Sequence, residues 1–273
     1  MQEFSEFATQ ERLGWTDEKI VAAYVEKFGP VTDYAARELI ALGQPKGKSV
    51  LDLCCGQGGL TAMLGEAGAR VTGLDFSEEM LSLAARNAPD AVLKQGDAAA
   101  LPFDDDQFDL VACNFGMMHL PDQPKALSEI KRVLRAGGRF QMATWATPDV
   151  SPAFAAAFGA IRSNADFSDA PDQPDLFTFA RPDDAKAMMA TSDLRMVSHH
   201  NVTTHWQLDE PDELFEIFLT ATVAASQLIK GQKPDIIAAI RDQITTAVRN
   251  EFAEENGYCV PVGIAIVQAE ADS

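Results

Sequence analysis

The stretch Ser49-Val-Leu-Asp-Leu-Cys-Cys-Gly-Gln-Gly-Gly59 limits the folds open to this chain more than any other. A short apolar run that ends in glycines and passes into a helical pattern reads as strand, nucleotide loop and helix of an open α/β sheet. Val50, Leu51 and Leu53 supply the buried strand, while Gly56, Gly58 and Gly59 permit a tight turn and a close approach of backbone to ligand. The helix then begins with unpaired N–H groups aimed at that ligand. An ordinary strand-to-helix turn could use the same residues, so the choice rests on the ends of the next two strands.

Both of those strands end in an acid. Arg70-Val-Thr-Gly-Leu-Asp75 closes a second strand on a carboxylate, where a ribose-binding acid stands after a first βα unit. Carboxylate oxygens only accept hydrogen bonds, which suits the paired hydroxyls of a ribose. Ala91-Val-Leu-Lys-Gln-Gly-Asp97 closes a third strand on an acid that could accept from an adenine amino group. Either acid alone could be a helix cap or a loop end; together they favour a nucleoside site.

The order Val50-Leu-Asp-Leu-Cys-Cys-Gly-Gln-Gly, Gly73-Leu-Asp-Phe-Ser-Glu-Glu-Met-Leu81, Gly96-Asp-Ala, Leu101-Pro-Phe-Asp-Asp-Asp-Gln-Phe-Asp109 and Arg132-Val-Leu-Arg-Ala-Gly-Gly-Arg139 resembles class I S-adenosylmethionine-dependent methyltransferases. Within them it is most similar to the small-molecule group that includes the ubiquinone/menaquinone C-methyltransferases. The likeness covers residues 49–145 best. The resemblance implies S-adenosyl-L-methionine as cofactor, held by Asp52, Cys54, Gly56, Gly58, Asp75, Phe76, Met80, Asp97, Ala98 and Asn114. Cys54-Cys55 departs from the family, which usually has a small residue before its Cys-Gly.

The resemblance also implies a Rossmann-like doubly wound α/β sheet of about seven strands, mostly parallel with the last antiparallel, plus helical lid insertions. Residues 1–145 then hold N-terminal helices and the cofactor core, and 146–273 the lid insertions with the last two strands of the same sheet. One catalytic domain is expected, because 273 residues hardly bury two full-sized cores.

Asn114-Phe-Gly-Met-Met-His119 lies where the family presents its methyl donor. His119 is the first titratable side chain there, and histidine suits proton abstraction near neutral pH; a packing role is the alternative. Family N-terminal helices flank the cleft, so Tyr24 is a second catalytic candidate, with core packing as its alternative. Asn114 is not followed by Pro-Pro and the chain has no Pro-Cys pair, which argues against exocyclic-amine and cytosine-C5 methylation.

Helices are expected over 16–28, capped by Thr16 and ended by Gly29-Pro30, and over 32–42. Another is expected over 212–229, and a polar strand around 196–207 carries His199, His200 and His205 as exposed side chains, His200 opposite the other two. No metal site is expected. The acceptor lid is expected in 146–195 and 208–256, lined by Phe154, Phe177, Phe179, Phe215 and Phe218.

Charge and cysteine content set the remaining bounds. A net charge of −19 with no basic run disfavours nucleic acid and anionic membranes as partners. The four cysteines lack CxxC spacing, the N-terminus lacks a basic-then-apolar signal pattern, and no apolar stretch approaches ~20 residues. A cytoplasmic protein with free thiols is expected. The leading function is methyl transfer to a small, largely apolar molecule. An NAD-dependent dehydrogenase would need a third glycine where Thr61 stands, and a non-catalytic cofactor-binding partner subunit stays open. No oligomeric state can be read from the sequence.

Overall fold

The structure, a computed structural model, describes residues 4–271. Two helices, α1 (Ser5–Gly14) and α2 (Glu18–Gly43), precede the sheet. A regular alternation comes next: β1 (Ser49–Leu53), α3 (Gly59–Glu66), β2 (Arg70–Asp75), α4 (Glu78–Asn87), β3 (Val92–Gln95), β4 (Phe108–Asn114), α5 (Gln123–Val133) and β5 (Leu134–Trp145). Beyond Trp145 come α6 (Pro152–Asn164), α7 (Pro182–Ala190), β6 (Leu194–Leu208), α8 (Glu213–Thr220), α9 (Ala224–Lys230), α10 (Pro234–Glu251) and β7 (Tyr258–Ala271).

The seven strands lie in the order β3-β2-β1-β4-β5-β7-β6. Strands β1 to β5 pair in parallel, and β7 runs antiparallel between β5 and β6. The strand order therefore reverses between β1 and β4, and the crevice beyond their C-terminal ends is where such sheets bind ligands.

Alternation along the strands divides the core. Val50, Leu110, Ile264 and Ile266 face α2, α3, α6, α8 and α10, while Leu51, Val111, Val267 and Ala269 face α5 and α7. Both faces are covered, so the central strands read as continuous apolar runs.

The sequence predicts a break at Gly29-Pro30, but α2 runs through Pro30 without interruption. Proline removes one helical hydrogen bond at a cost of about 3 kcal/mol. Burial of Val21, Phe28, Val31, Ala35 and Leu39 along one face offsets it. Three strand side chains also hold its carbonyls: Trp206 Nε1 donates to Lys27 O (2.8 Å), Asn114 Nδ2 to Thr32 O (3.0 Å) and Gln141 Nε2 to Leu39 O (2.9 Å). The cap is Asp17, whose Oδ1 accepts from Lys19 N, whereas Thr16 donates back to Arg12 O and Leu13 O.

The sequence does not predict α1, because its apolar pattern is weak, with Phe7 buried but Leu13 exposed. Tertiary contact holds it: a Cβ on Gly14 would lie 2.4 Å from Val223 Cγ2, so the end of α1 sits against the start of α9. The single helix expected over 212–229 is two, broken at 221–223. Of the strand histidines, His200 and His205 are exposed, but His199 is half-buried with Nε2 3.1 Å from Phe179 O, and burial lowers its pKa.

Candidate active site

The loop after β1 and the loop after β4 close on each other at the switch point. A Cβ on Gly116 would lie 2.5 Å from Cys54 Cβ and 2.7 Å from Cys113 Sγ, so only glycine lets the loops approach this closely. Two non-glycine residues at this junction, Cys54 (φ 57°) and Phe115 (φ 58°), take the left-handed conformation. Such backbone costs about 1 kcal/mol or more and collects at functional sites. Phe115 is held there by stacking on Trp145, with ring centroids 3.9 Å apart.

The cleft formed this way is lined by Asp52, Cys54, Gly56, Asp75, Phe76, Met80, Asp97, Ala98 and Asn114. The sequence points to ten residues for the cofactor, and the tenth, Gly58, is not among the lining residues. It is the N-cap of α3 at φ 85°, and its missing side chain serves packing: a Cβ would lie 2.9 Å from Ala84 Cα of α4. Gly59 lines the cleft instead.

Asp75 is 7% exposed, and its two oxygens accept from Gly56 N and Ser77 N, both at 2.9 Å. It thus binds together the glycine loop and the start of α4. Burial raises its pKa, while these N–H groups oppose the rise. Asp97 is exposed, with Oδ1 accepting from Ala99 N at 2.8 Å.

At the other end of the cleft, Asp52 is 1% exposed, and burial pushes its carboxyl up to about 7. Asp52 Oδ1 and Asn114 Oδ1 are buried with no hydrogen-bond partner in the protein. Unpartnered buried acceptors beside a cleft are sites for a donor from a ligand. Asp33, from α2, also lines this end and was not anticipated, because nothing local distinguishes it from an exposed helix acid. The cysteines beneath are poor nucleophiles: a hydrogen bond to Cys113 and burial raise Cys54, and burial raises Cys55.

A second, larger cavity of about 970 Å³ opens beside the cleft, floored by Phe28, Trp145, Phe154, Phe158, Phe177 and Phe218. Phe179 and Phe215, expected on this wall, are instead core residues at 1% and 0% exposure. Phe179 lies under the α5 and α7 face, and Phe215 packs under Arg241, 4.7 Å from its ring. Helix α7 is not part of the wall, because it packs against β6 and α5 on the opposite side of the sheet.

Among the described residues only two line both cavities, Glu11 and His119. They touch: His119 Nδ1 is 2.8 Å from Glu11 Oε2, which also accepts from Trp15 Nε1 at 2.8 Å. Tyr24 lines the cleft in the same aromatic group, with its ring 5.0 Å from Trp15 and 5.2 Å from Phe28. Burial raises its phenol well above the ordinary range, so Tyr24 stays protonated and can donate but not remove a proton.

The family model described as "Methyltransferase domain" matches residues 51–142. These residues are a methyltransferase domain. The chain is 41% identical over 121 residues to the demethylmenaquinone methyltransferase of Beutenbergia cavernae, across 44% of this chain and 50% of that protein. It is 46% identical over 99 residues to the namesake from Staphylococcus carnosus, across 34% and 41%. The chain thus spans about half the length, or less, of these curated relatives.

Solved structures extend the likeness of fold beyond the domain. A protein of Bacillus halodurans superposes with a TM-score of 0.60 at 19% identity, over 88% of this chain and all of that one. The geranyl diphosphate C-methyltransferase of Streptomyces coelicolor, solved with S-adenosyl-L-homocysteine, gives 0.50 at 15% identity, over 87% and 75%. The chain has the Rossmann-like methyltransferase fold.

The cleft of this domain fits S-adenosylmethionine. It has acids at neighbouring strand ends, an apolar stretch at Phe76 and Met80, and unpartnered acceptors at Asp52 and Asn114 for a polar, cationic end. Among the described residues no cluster of three or more His, Cys, Asp or Glu could hold a metal, and no helix is long and apolar enough to cross a membrane.

Proposed function

We propose that this protein transfers a methyl group from S-adenosylmethionine to a small, largely apolar acceptor held in the aromatic cavity. The observation that carries this reading is the meeting of a nucleoside-type cleft and an apolar cavity at one pair of residues, Glu11 and His119. When bound, S-adenosylmethionine supplies a methyl group already activated on a sulfonium.

The protein's part is binding, in-line positioning and exclusion of water. Asp75 accepts from the ribose hydroxyls with the oxygen valences its two backbone N–H partners leave open. Asp97 and Ala98 would hold the adenine end, with Phe76 and Met80 as its apolar contacts. Gly56 and Cys54 shape the loop, and Asp52, Asp33 and Asn114 receive the amino-acid end. Gly58 acts by holding α3 against α4. Tyr24 donates a hydrogen bond near the transferred group, and His119 faces the acceptor.

In this reading residues 4–145 supply the cofactor half, with the acceptor's walls drawn mainly from 148–177 and 218–236. The net charge of −19 supports a small molecule over nucleic acid, and four free thiols suit a cytoplasmic setting. The relatives' names make demethylmenaquinone the first acceptor to try.

Calorimetry with S-adenosylmethionine and with NAD tests the cofactor, and methyl-labelled cofactor with small-molecule, nucleic-acid and protein fractions tests the acceptor. Binding of S-adenosylmethionine alone and label in an apolar small molecule are expected. Binding of NAD instead, or label only in macromolecules, would overturn the proposal.

A further inference from the structure

The contact between α1 and the 3-10 turn after β4 has a chemical consequence beyond closing the cleft. Glu11 is 5% exposed, yet its Oε2 is shared by two nitrogens, Trp15 Nε1 and His119 Nδ1. A buried carboxylate is stable only when donors surround it. Indole N–H can only donate, which fixes Oε2 as the acceptor in that bond. The second bond to the same oxygen is then best made by a protonated Nδ1. A neutral imidazole carrying its proton on Nδ1 has a bare lone pair on Nε2.

No described residue is hydrogen-bonded to Nε2 of His119. The imidazole itself is oriented by the Trp15 ring, whose centroid lies 5.1 Å away at 80°. Its residue lines both cavities, so the unpaired nitrogen stands at the junction where acceptor and methyl donor would meet. This is the arrangement of a base held in one tautomer by a carboxylate that does not itself take the proton.

From this arrangement we infer that Glu11 is a positioning residue that, with Trp15, holds His119 as a proton acceptor, and that the methyl acceptor carries a removable proton on the attacked atom. The inference rests on the methyl-transfer reading for its reaction, but not for its tautomer. An aromatic hydroxyl combines a proton that this pair can remove with a ring that suits the cavity's aromatic walls. In the reaction the hydroxyl proton passes to His119 Nε2. The oxygen's electron pair forms the new bond to the methyl carbon, and the carbon–sulfur bond breaks with its pair kept by sulfur. The positive charge thereby moves from sulfur to the imidazolium, next to the Glu11 carboxylate. An acceptor with no proton to lose, such as a tertiary amine or thioether, would have no use for this pair.

The tautomer can be read without turnover. In the full chain with 15N-labelled histidine and S-adenosylhomocysteine added, the His119→Asn variant assigns one of the four imidazoles. Long-range 15N–1H spectra are expected to give a protonated Nδ1 and a bare Nε2 for His119. Glu11→Leu, which has no acceptor, should abolish that preference while Trp15→Phe keeps it. A wild-type His119 protonated on Nε2, or an unchanged tautomer in Glu11→Leu, would overturn the assignment.

Turnover is measured with 1,4-naphthohydroquinone as the probe. Glu11→Gln is expected to lower kcat at least tenfold with the calorimetric Kd for S-adenosylmethionine unchanged, and Glu11→Asp to recover part of the loss. Equal kcat in wild type and Glu11→Gln would remove Glu11 from the machinery. Failure of the wild type to bind S-adenosylmethionine at all would overturn the methyl-transfer reading instead, with the tautomer still decided by the spectra.

Discussion

Thr61 Oγ1 donates to Asp52 Oδ2 at 2.5 Å, and Asp52 Oδ1, buried beside it, has no partner. The hydroxyl comes from the first turn of α3 and the carboxylate from the core of β1. The residue that excludes a dinucleotide glycine pattern is therefore a partner of an acid at the heart of the cleft. One hydrogen bond does not repay the desolvation of a carboxylate, which is why burial pushes this group up to about 7.

That raised carboxyl fixes the sign of a pH effect. Between the ordinary carboxylate range and about pH 7 the folded protein binds a proton at Asp52 that the unfolded chain does not. Stability from this group is complete at acid pH and is lost as pH rises toward 7, by about 4 kcal/mol in all. Buried Asp75, also raised, adds in the same direction. Thermal melts of the ligand-free protein should show Tm falling from pH 5 to pH 8 more in wild type than in Asp52→Asn. Parallel pH profiles for the two would refute the assignment.

Asp75 and Asp97 stand at neighbouring strand ends but differ in what their loss exposes. Asp75→Ala leaves Gly56 N and Ser77 N without acceptors, at about 1–3 kcal/mol each, and should weaken S-adenosylmethionine binding about a hundredfold. Asp97→Ala removes one exposed turn bond and should weaken binding about tenfold with Tm nearly unchanged. Calorimetry paired with thermal melts separates the two. Equal losses of Tm would contradict this division between a buried and an exposed acid.

Phe158 and Phe215 test the division between cavity wall and core. Phe158→Ala should raise KM for an apolar acceptor about tenfold and leave cofactor binding unchanged, since the ring faces the cavity. Phe215→Ala, at a fully buried position, should cost about 3–5 kcal/mol in denaturant unfolding without changing acceptor preference. A reversed pattern would move the acceptor to another surface.

Most of the sheet and the cofactor cleft could be read along the chain because their determinants are local. A strand that ends in glycines, an acid at the next strand end and another at the third are each set within a few residues, and nine of the ten expected residues line one cleft. Gly58 looked the same as its neighbours, because a glycine needed at φ 85° against Ala84 and a glycine needed for a ligand leave one letter.

What tertiary structure decided lies in contacts between segments far apart in sequence. Pro30 reads as a helix end, yet α2 continues because strands β4, β5 and β6 bind its carbonyls and its apolar face is buried. The phenylalanines of the second half are alike in composition, but Phe154, Phe158 and Phe218 line the cavity, whereas Phe179 lies under the opposite face of the sheet and Phe215, on the same helix as Phe218, packs under Arg241. Glu11 carries no local signal at all. It becomes a partner of His119, 108 residues away, only because the end of α1 packs against α9 and turns a weakly amphipathic helix over the mouth of the cleft. Local periodicity and turn chemistry determine elements one at a time, whereas the burial of an unpaired charge beside a ligand site is a property of the assembled fold.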